Sequence, residues 1–294
     1  MYTMQERDMR KMNQKQRIMK IITTTFVYIF LGLVAISVLF PFYWMIISSL
    51  KSLEEYRQNV PTFFPKVIEW SNYAKAFKEA ELGTLFLNTV YVGIVSTVLS
   101  VVITVLAAFS FARLEFKGKN ILFAGLLATM MIPGELFTIT NYQTVTYLGL
   151  KSTYTVLIIP TLVSVFNIYL LKQNFMQIPN ELYLAAKVDG TTDIKYLWKV
   201  MIPLALPTLI TITILKMTGS WSSYMWPRLV ANDSFHKLVT NGLRGANLVD
   251  ALTKEPHYPL QMAAVAIVSA PLFLVFVFFR KYIMKGVSRS GLKG

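Results

Sequence analysis

Residues 82–112 read LGTLFLNTVYVGIVSTVLSVVITVLAAFSFA and contain no Asp, Glu, Lys or Arg. An α-helix needs about 20 apolar residues to cross the hydrocarbon of a bilayer, so this run is long enough to span it. Three more intervals, 21–50, 152–171 and 256–279, are also free of charge. The chain is 54% hydrophobic and 15% charged, with a mean hydropathy of +0.50, which is too apolar for a water-solvated surface. The sequence therefore predicts an all-α polytopic membrane protein.

Two further apolar stretches are each interrupted by one charge, Glu135 in 120–147 and Lys216 in 200–227. Counting both as spans predicts six transmembrane helices, at 20–50, 85–112, 120–147, 152–172, 204–227 and 258–282. The remaining parts are an outer segment 51–84, an inner loop 173–203, an outer loop 228–257 and a tail 283–294. No internal repeat is evident, so one domain over 1–294 is expected.

Lys and Arg are distributed unequally between the two sides of the predicted bundle. The side with both termini carries 18 of them and a net charge of +12, whereas the other side carries 10 and a net charge of +2. Because loops rich in Lys and Arg stay in the cytoplasm, both termini are predicted to be cytoplasmic. The overall charge of +14 then indicates topology, and no nucleic-acid partner is expected. The first apolar run is about twice as long as a signal-peptide core, so we expect a retained anchor.

The residue content excludes several kinds of catalytic, metal and nucleotide site. The chain has no Cys, which excludes disulfides, thiol catalysis and Cys-ligated metal sites. His236 and His257 have polar, loop-like neighbours, so both are predicted to be solvated and no metal site is expected. No Walker A phosphate-binding motif occurs, so any ATP and Mg must be bound by another subunit. The chain is thus expected to hold no cofactor of its own.

The outer segment 51–84 contains Pro61, Pro65 and several aromatic residues. Aromatic side chains favour the boundary between water and lipid, so the segment is predicted to fold as a cap against the membrane interface. An interfacial re-entry with no partner is the alternative.

The inner loop contains the most informative segment, residues 178–203, IPNELYLAAKVDGTTDIKYLWKVMIP. Pro179 suits the first turn of a helix, and Gly190 is the residue that ends a helix most cheaply in a left-handed conformation. Thr192 can then cap a second helix with Asp193 in its first turn, running to a break at Pro203. The segment is predicted to be two short helices joined by a tight turn.

The first of these helices has an unusual surface. Ala185 and Ala186 present almost no side chain, so another protein can approach closely, and Leu184 and Val188 supply an apolar anchor. This pattern favours docking of the helix in a groove of a partner. An amphipathic element lying on lipid headgroups is the alternative.

The segment resembles the EAA loop of permease subunits in binding-protein-dependent ABC importers. Matching positions are Ala185, Ala186, Gly190, Ile202 and Pro203, with Asp189 in the Asp-Gly pair that the carbohydrate branch favours. The Glu of the family's triplet is Leu184 here, while Glu181 lies three residues earlier. The resemblance implies coupling to an ATPase through Glu181, Leu184, Ala185, Ala186, Val188, Asp189, Gly190 and Pro203.

Fragments along the rest of the chain are similar to the MalG-like subunit of maltose-type sugar permeases. They include FPF at 40–42, FAR at 111–113, MIP at 131–133, GSW at 219–221 and GLKG at 291–294. The resemblance implies a type I importer permease fold in the cytoplasmic membrane of a bacterium, and import of a di- or oligosaccharide. It also implies four kinds of partner: a MalF-like second permease, two ATPase subunits, an extracytoplasmic solute-binding protein, and membrane lipid.

Two alternatives of function stay open. One is an importer of the same type for another small solute such as glycerol phosphate, and the other is an ion-coupled carrier or membrane enzyme. A carrier or enzyme would need clustered acids or His within the membrane, and only Glu135 and Lys216 are candidates.

Glu135 and Lys216 lie at similar predicted depths, roughly 22 and 18 Å from the inner helix ends at about 1.5 Å per residue. A charge at the centre of a span costs about 2.5 to 3.5 kcal/mol, so each should face the protein interior or a wet cavity. We expect both to line or brace the translocation path, as a structural ion pair or in contact with sugar.

Aromatic rings and small polar side chains cluster near the predicted outer ends. The aromatic residues that can stack on a saccharide are Tyr142, Trp221, Tyr224 and Trp226, and Ser222 can bind its hydroxyl groups. They suit an outer aromatic belt equally well. Ser222 stands where the resembled family usually has Asn, so a substrate preference does not carry over.

Overall fold

The computed structural model describes residues 4–250 and 252–288, with side chains at 16, 18–250 and 252–281. This part of the chain is helical and forms no β-strand, apart from an isolated antiparallel bridge between Val249 and Pro256. The all-α expectation is confirmed.

The α-helices are α1 Met4–Ser49, α2 Leu53–Tyr56, α3 Ser71–Glu79, α4 Leu82–Arg113, α5 Lys119–Thr129, α6 Thr138–Tyr147, α7 Tyr154–Ile158, α8 Val165–Met176, α9 Asn180–Val188, α10 Asp193–Tyr196, α11 Ile202–Leu204, α12 Leu206–Trp221, α13 Met225–Val230, α14 Val239–Gly245 and α15 Tyr258–Ser288. Two 3-10 helices, Gly134–Phe137 and Ile159–Thr161, and a π-helix, Leu197–Met201, lie between some of them.

Three continuous helices in the described residues are long and apolar enough to cross a membrane, Ile18–Ser49, Leu82–Arg113 and Tyr258–Lys281. Three further spans are bent pairs. Lys119–Thr129 with Gly134–Tyr147 bends by 86°, Tyr154–Thr161 with Val165–Met176 by 45°, and Asp193–Leu204 with Leu206–Trp221 by 81°. The predicted six spans are reached when each bent pair counts as one.

Each of the spans predicted over 120–147 and 152–172 is divided into two helices by a bend. Proline explains both breaks, because it lacks an N–H and disfavours the helical conformation of the residue before it. Pro133 precedes the 3-10 turn between α5 and α6, and Pro160 lies inside the 3-10 turn after α7. The second of these spans also continues beyond its predicted end, to Met176.

Other helix ends differ from the predicted ones. The fifth span was expected over 204–227, but α12 ends at Trp221 and a separate short helix, α13, follows it. Ser222 and Ser223 stand at this break, and Ser competes with the helix by bonding to nearby backbone. The helix expected at 20–50 already begins at Met4, and that expected at 258–282 continues to Ser288. Positions 289–294 of the predicted tail lie outside the described residues.

The described residues form two compact units, and the first contains those up to Tyr73 together with Val249–Ala266. Its outer segment is folded around buried polar groups. The Glu55 carboxylate accepts hydrogen bonds from the Thr62 hydroxyl and the Lys66 N–H, and the Asn72 amide donates to the Ser49 and Lys51 carbonyls. This internal bonding agrees with the predicted folded cap.

The second unit contains residues 74–248 and 267–288 of the described chain. Its centre is α4, which packs against α8 and α12. At one end of this bundle the core is formed by Val105, Ala108, Phe109, Leu171, Phe175, Tyr196, Leu197, Met201, Ala205, Leu209 and Ile212. Because Tyr196, Leu197 and Met201 belong to the 178–203 segment, that segment is anchored in the core of the bundle.

Candidate functional site

The first helix of the 178–203 segment, α9, ends in a Schellman motif. The Thr191 N–H donates to the Ala186 carbonyl at 2.8 Å, and the Gly190 N–H donates to the Lys187 carbonyl at 3.0 Å. Gly190 has a φ of +72°, the left-handed conformation that this motif requires. The predicted helix end at Gly190 is confirmed.

The second half of the segment begins at Thr192, whose hydroxyl accepts a hydrogen bond from the Lys195 N–H. The short helix α10 then widens into the π-helix Leu197–Met201 and continues as α11. Pro203 cannot donate a backbone hydrogen bond and its ring displaces the carbonyl four residues earlier, which accounts for the widening. The break predicted at Pro203 falls at Ala205, since Pro203 is accommodated in the first turn of α11.

Asp193 joins the two helices of the segment. Its Oδ1 accepts a hydrogen bond from the Tyr183 hydroxyl at 2.8 Å and lies 2.6 Å from the Lys187 Nζ. The rings of Tyr183 and Tyr196 also pack with their centroids 5.2 Å apart. The hydrogen bond with Asp193 raises the pKa of Lys187, so this ammonium stays charged at neutral pH. The contacts fix α9 and α10 relative to each other.

Arg113 attaches the start of the segment to α4. This residue is buried at the end of α4, and its Nη2 donates to the Phe175 carbonyl at 2.9 Å and the Ile178 carbonyl at 2.6 Å. The Phe175 carbonyl lies in the last turn of α8, where helical acceptors lack intrahelical partners, and the Ile178 carbonyl lies two residues beyond the end of that helix. Sequence reasoning used Arg113 for topology and missed this contact, although an Arg at the end of a charge-free span was a signal for it.

Besides Leu182, which is 46% exposed, the segment has four large apolar side chains that are more than half exposed. Leu184 is 55% exposed, Val188 88%, Ile194 68% and Trp198 64%. We call these four residues the apolar set. Leu184 and Val188 are four residues apart on α9 and share one face of it. Ile194 and Trp198 have the same spacing, which was a sequence signal that the prediction did not use.

Ala185 and Ala186 do not share one environment. Ala185 is exposed, whereas Ala186 is half-buried and packs against the core of its own bundle. The expectation that both alanines form an open surface is therefore wrong for Ala186. Consecutive residues on a helix point about 100° apart, so Ala185 can face away from the core while Ala186 faces it. The remaining predicted positions, Glu181, Asp189, Gly190 and Pro203, are exposed.

A cavity of about 470 Å³ lies in the second unit. Its walls are formed by Val92, Leu157, Thr161, Val163, Ser164, Phe166, Asn167, Leu215, Lys216, Gly219, Ser220, Ser223, Trp226, Pro227 and Leu238. Lys216 is half-buried, and its Nζ donates to the Thr161 carbonyl at the 3-10 break before α8. The bend of that span is what brings Thr161, Ser164 and Asn167 to one wall. Single-sequence reasoning missed these polar side chains because it treated the span as a straight helix.

Glu135 is separate from Lys216. It is exposed in the 3-10 turn Gly134–Phe137, and the described residues contain no ion pair between it and Lys216. The structural pair that sequence alone left open is not formed, because the bend at Pro133 turns the second half of that span away from a straight path.

The predicted aromatic path residues have different surroundings. Trp221 is buried, its indole N–H donates to the Val268 carbonyl at 3.3 Å, and it packs on Phe86, so it supports the core. The Tyr142 hydroxyl accepts a hydrogen bond from the Lys151 Nζ at 2.9 Å. Ser222 is exposed beside Tyr224. The cavity wall described above contains none of these four residues, Tyr142, Trp221, Ser222 and Tyr224.

Comparison with known proteins gives a consistent result. A family model described as "Binding-protein-dependent transport system inner membrane component" matches residues 100–289. The chain is 31% identical over 267 residues to the arabinooligosaccharides transport system permease protein AraQ of Halalkalibacterium halodurans, covering 89% of this chain and 93% of that protein. It is 28% identical over 279 residues to the polygalacturonan/rhamnogalacturonan transport system permease protein YtcP of Bacillus subtilis, covering 91% and 97%.

A solved structure has the same fold. It is a bacterial ABC transporter involved in the import of the acidic polysaccharide alginate, and its matching chain superposes with a TM-score of 0.81 at 24% identity. The match covers 91% of this chain and 97% of that chain. The 178–203 segment and most of the cavity wall lie within the part of the chain that the family model matches.

Proposed function

Because the chain belongs to the family of binding-protein-dependent transport system inner membrane components, we propose that it is the MalG-like permease subunit of an ATP-driven importer of a di- or oligosaccharide. Members of this family are multi-pass transport subunits of ABC importers and are not themselves enzymes. The type I importer permease fold is that of the solved neighbour. We also propose the partners of this subunit, its orientation in the membrane and its coupling mechanism.

The proposed complex contains a MalF-like second permease, two ATPase subunits and an extracytoplasmic solute-binding protein. The sequence has no Walker A motif, so ATP and Mg are bound by the ATPase subunits, which hydrolyse the nucleotide. Both termini and the 178–203 segment lie in the cytoplasm of a bacterium, in keeping with the excess of Lys and Arg on that side. The segment is thereby on the side where ATP is available.

The observation that carries this proposal is the exposed apolar set on a rigid segment. Leu184, Val188, Ile194 and Trp198 remain largely uncovered, and burying a side chain of this size contributes about 1.5 to 3 kcal/mol. A helix that presents such residues suits a groove in a partner protein. We assign that groove to the ATPase subunit.

Rigidity is what makes the segment suitable for transmitting force. Asp193 holds α9 to α10, Arg113 holds the start of the segment to α4, and Tyr196 and Met201 are buried in the bundle core. Movement of the ATPase subunits would consequently displace the end of the bundle as a body. The coupling is mechanical and needs no covalent chemistry in this chain.

The relatives leave the nature of the sugar open. The names of two of them refer to arabinooligosaccharides and to polygalacturonan or rhamnogalacturonan, which differ in charge. An importer of the same type for another small solute such as glycerol phosphate remains the alternative to the proposal, whereas an ion-coupled carrier would not fit this family of importer subunits.

Copurification and uptake test the proposed function. The chain is expressed with its partner subunits, and the complex is purified and reconstituted into vesicles. We expect the ATPase to copurify and saccharide uptake to require ATP, with uptake lost when the Walker A Lys of the ATPase is replaced. Uptake that continues without ATP hydrolysis would support the ion-coupled carrier instead.

The docking role is tested with Ile194→Asp and Trp198→Asp in the same complex. Both changes place a charge on the apolar set and should reduce ATPase copurification, while the helices themselves tolerate an exposed Asp. Leu252→Asp is the matched control, since Leu252 is 93% exposed and lies in the predicted outer loop. Normal copurification and normal coupling in both variants would refute the docking proposal and favour contact with lipid.

A further inference from the structure

Lys216 places a positive charge in the wall of the cavity without a carboxylate beside it. The wall residues include no Asp or Glu, and the ion pairs of the described chain do not involve Lys216. Its Nζ donates to the Thr161 carbonyl. A Lys ammonium has three donors, so this bond leaves two for another acceptor.

The bond to Thr161 does not by itself explain a Lys at this position. A neutral hydroxyl or amide donor can also satisfy a carbonyl, without the cost of placing a charge within the membrane. Charged residues inside membrane spans usually face the bundle interior or a wet cavity, pair with one another or with backbone carbonyls, and mark the path of the transported species. The missing carboxylate is therefore best supplied by a ligand.

The rest of the wall suits a saccharide. Ser164, Asn167, Ser220 and Ser223 provide polar groups for sugar hydroxyls, and Trp226 provides an aromatic surface. The Trp226 indole N–H donates to the Val156 carbonyl at 2.9 Å, which fixes the ring in place. Polar groups on a largely apolar wall are typical of small-molecule sites.

A second group of cations lies next to the wall residues Ser223, Trp226 and Pro227. Arg228 and Arg244 both approach the ring of Tyr224, with their guanidinium carbons 5.6 and 5.2 Å from its centroid. Both arginines are exposed, and neither forms an ion pair with a described carboxylate. Two guanidinium groups held on one ring concentrate positive charge beside the cavity, which attracts anions.

We propose that this cavity binds an anionic saccharide, one that carries a carboxylate or a sulfate group. Lys216 is its counter-ion inside the cavity, and Arg228 with Arg244 attracts it from the adjoining surface. The inference rests on the proposed function, because it specifies the charge of the sugar that the importer carries. The positions of the three cations support an anionic sugar, whereas the net charge of +2 on the predicted outer side says little about the charge of the sugar.

The test compares two probes of equal shape and different charge. Trigalacturonate is the anionic probe, and its fully methyl-esterified form is the neutral one. Binding of each is measured by equilibrium titration with the complete transporter in nanodiscs, without the solute-binding protein. We expect trigalacturonate to bind roughly tenfold to a hundredfold more tightly, the range that one charge-assisted hydrogen bond gives, and to weaken with added salt. Equal binding of the two probes, or binding of neither, would overturn the proposal.

Substitutions separate the charge of Lys216 from its contribution to folding. Lys216→Met should remove the preference for trigalacturonate and leave binding of the ester unchanged, while Lys216→Arg should retain the preference. Lys78→Met is the control, because Lys78 is an exposed cation on α3 that is outside the cavity wall. An equal loss for both probes in Lys216→Met would show a structural role only and would contradict the proposal.

Arg228→Gln and Arg244→Gln should slow association of trigalacturonate, with a smaller salt dependence, and should not affect the ester. Slower association of both probes would exclude the attraction assigned to these arginines. ATP-dependent uptake of saccharide by the same complex is measured in parallel. If this uptake persists without a charge preference, the present inference fails and the proposed function stands, whereas loss of ATP-dependent uptake for every saccharide removes the proposed function.

Discussion

Gly190 offers the sharpest test of how the 178–203 segment works. Its φ of +72° is a conformation that costs an L-residue roughly 1 to 2 kcal/mol. A Cβ added at Gly190 would meet no atom within 4 Å, so the cost of Gly190→Ala comes from the backbone alone. The two hydrogen bonds of the Schellman motif contribute about 0.5 to 1.5 kcal/mol each. The backbone strain in the Ala variant is thus comparable to the free energy that the two hydrogen bonds of the motif contribute.

Three variants at Gly190 test how the backbone strain compares with the free energy of the two hydrogen bonds. Gly190→Asn should be nearly neutral because Asn tolerates the left-handed conformation, and Gly190→Ala should keep the turn with reduced stability. Gly190→Val adds a β-branched side chain, for which positive φ is a true outlier, so its strain should lie near the upper end of the range of about 1 to 3 kcal/mol and offset most or all of the two hydrogen bonds. We therefore expect the turn to rearrange in the Val variant.

The assay is saccharide transported per ATP hydrolysed in reconstituted vesicles, together with thermal unfolding of the purified complex. Coupling should decrease in the order Asn, Ala, Val, and the Val variant should still insert because the change lies outside the apolar spans. Gly245→Val is a control for adding the side chain itself, since Gly245 also has open space around its Cβ position but no positive φ. Equal coupling in Gly190→Asn and Gly190→Val would refute the argument that the left-handed turn sets the angle of the segment.

Two further predictions follow from packing and hydrogen bonding. Arg113→Met should lower the melting temperature of the complex by a few degrees and weaken ATPase association, because it leaves the Phe175 and Ile178 carbonyls without this donor. Unchanged melting and association would show that water replaces the guanidinium. Arg113→Lys tests whether another cation restores part of the effect. Gly93→Ala should cost little stability, because the new Cβ would lie 2.9 Å from the Met217 sulfur, an atom near the end of a flexible side chain that can move aside. A melting temperature lowered by many degrees would contradict this and show that Met217 is held in place against α4.

Features set by neighbouring residues were predictable from the sequence, and features set by distant packing were not. Gly190 and Thr192 determine the turn and the cap through their own backbone and hydroxyl groups, so local chemistry was sufficient. The direction of Ala186 depends on which face of α9 meets the bundle core, and a single helix does not encode that choice alone. The number of spans followed from the lengths of the apolar runs, but the length of a run carries no information about bending.

The cavity also depends on packing between residues that are distant in the sequence. Its polar wall combines Thr161 and Ser164 at a broken span with Lys216 on α12, residues about 50 positions apart in the chain. Pro133 and Pro160 were visible in the sequence as possible breaks, yet the angles of 86° and 45° depend on what each half packs against. For this reason the sequence left open an ion pair between Lys216 and Glu135, and the ion pairs of the described residues do not include it.

The bent spans also bear on how the chain enters the membrane. The helix α5 has 11 residues and α8 has 12, which correspond to about 16 and 18 Å at 1.5 Å per residue. Neither length reaches across a hydrocarbon layer of about 30 Å, so neither half would be stable as a separate insertion unit. We expect the insertion machinery to accept each bent pair as one apolar run that is first nearly straight, and the bends to form afterwards as α4, α8 and α12 assemble. Bending would then be a late step of biogenesis that creates the cavity at the same time as the bundle closes.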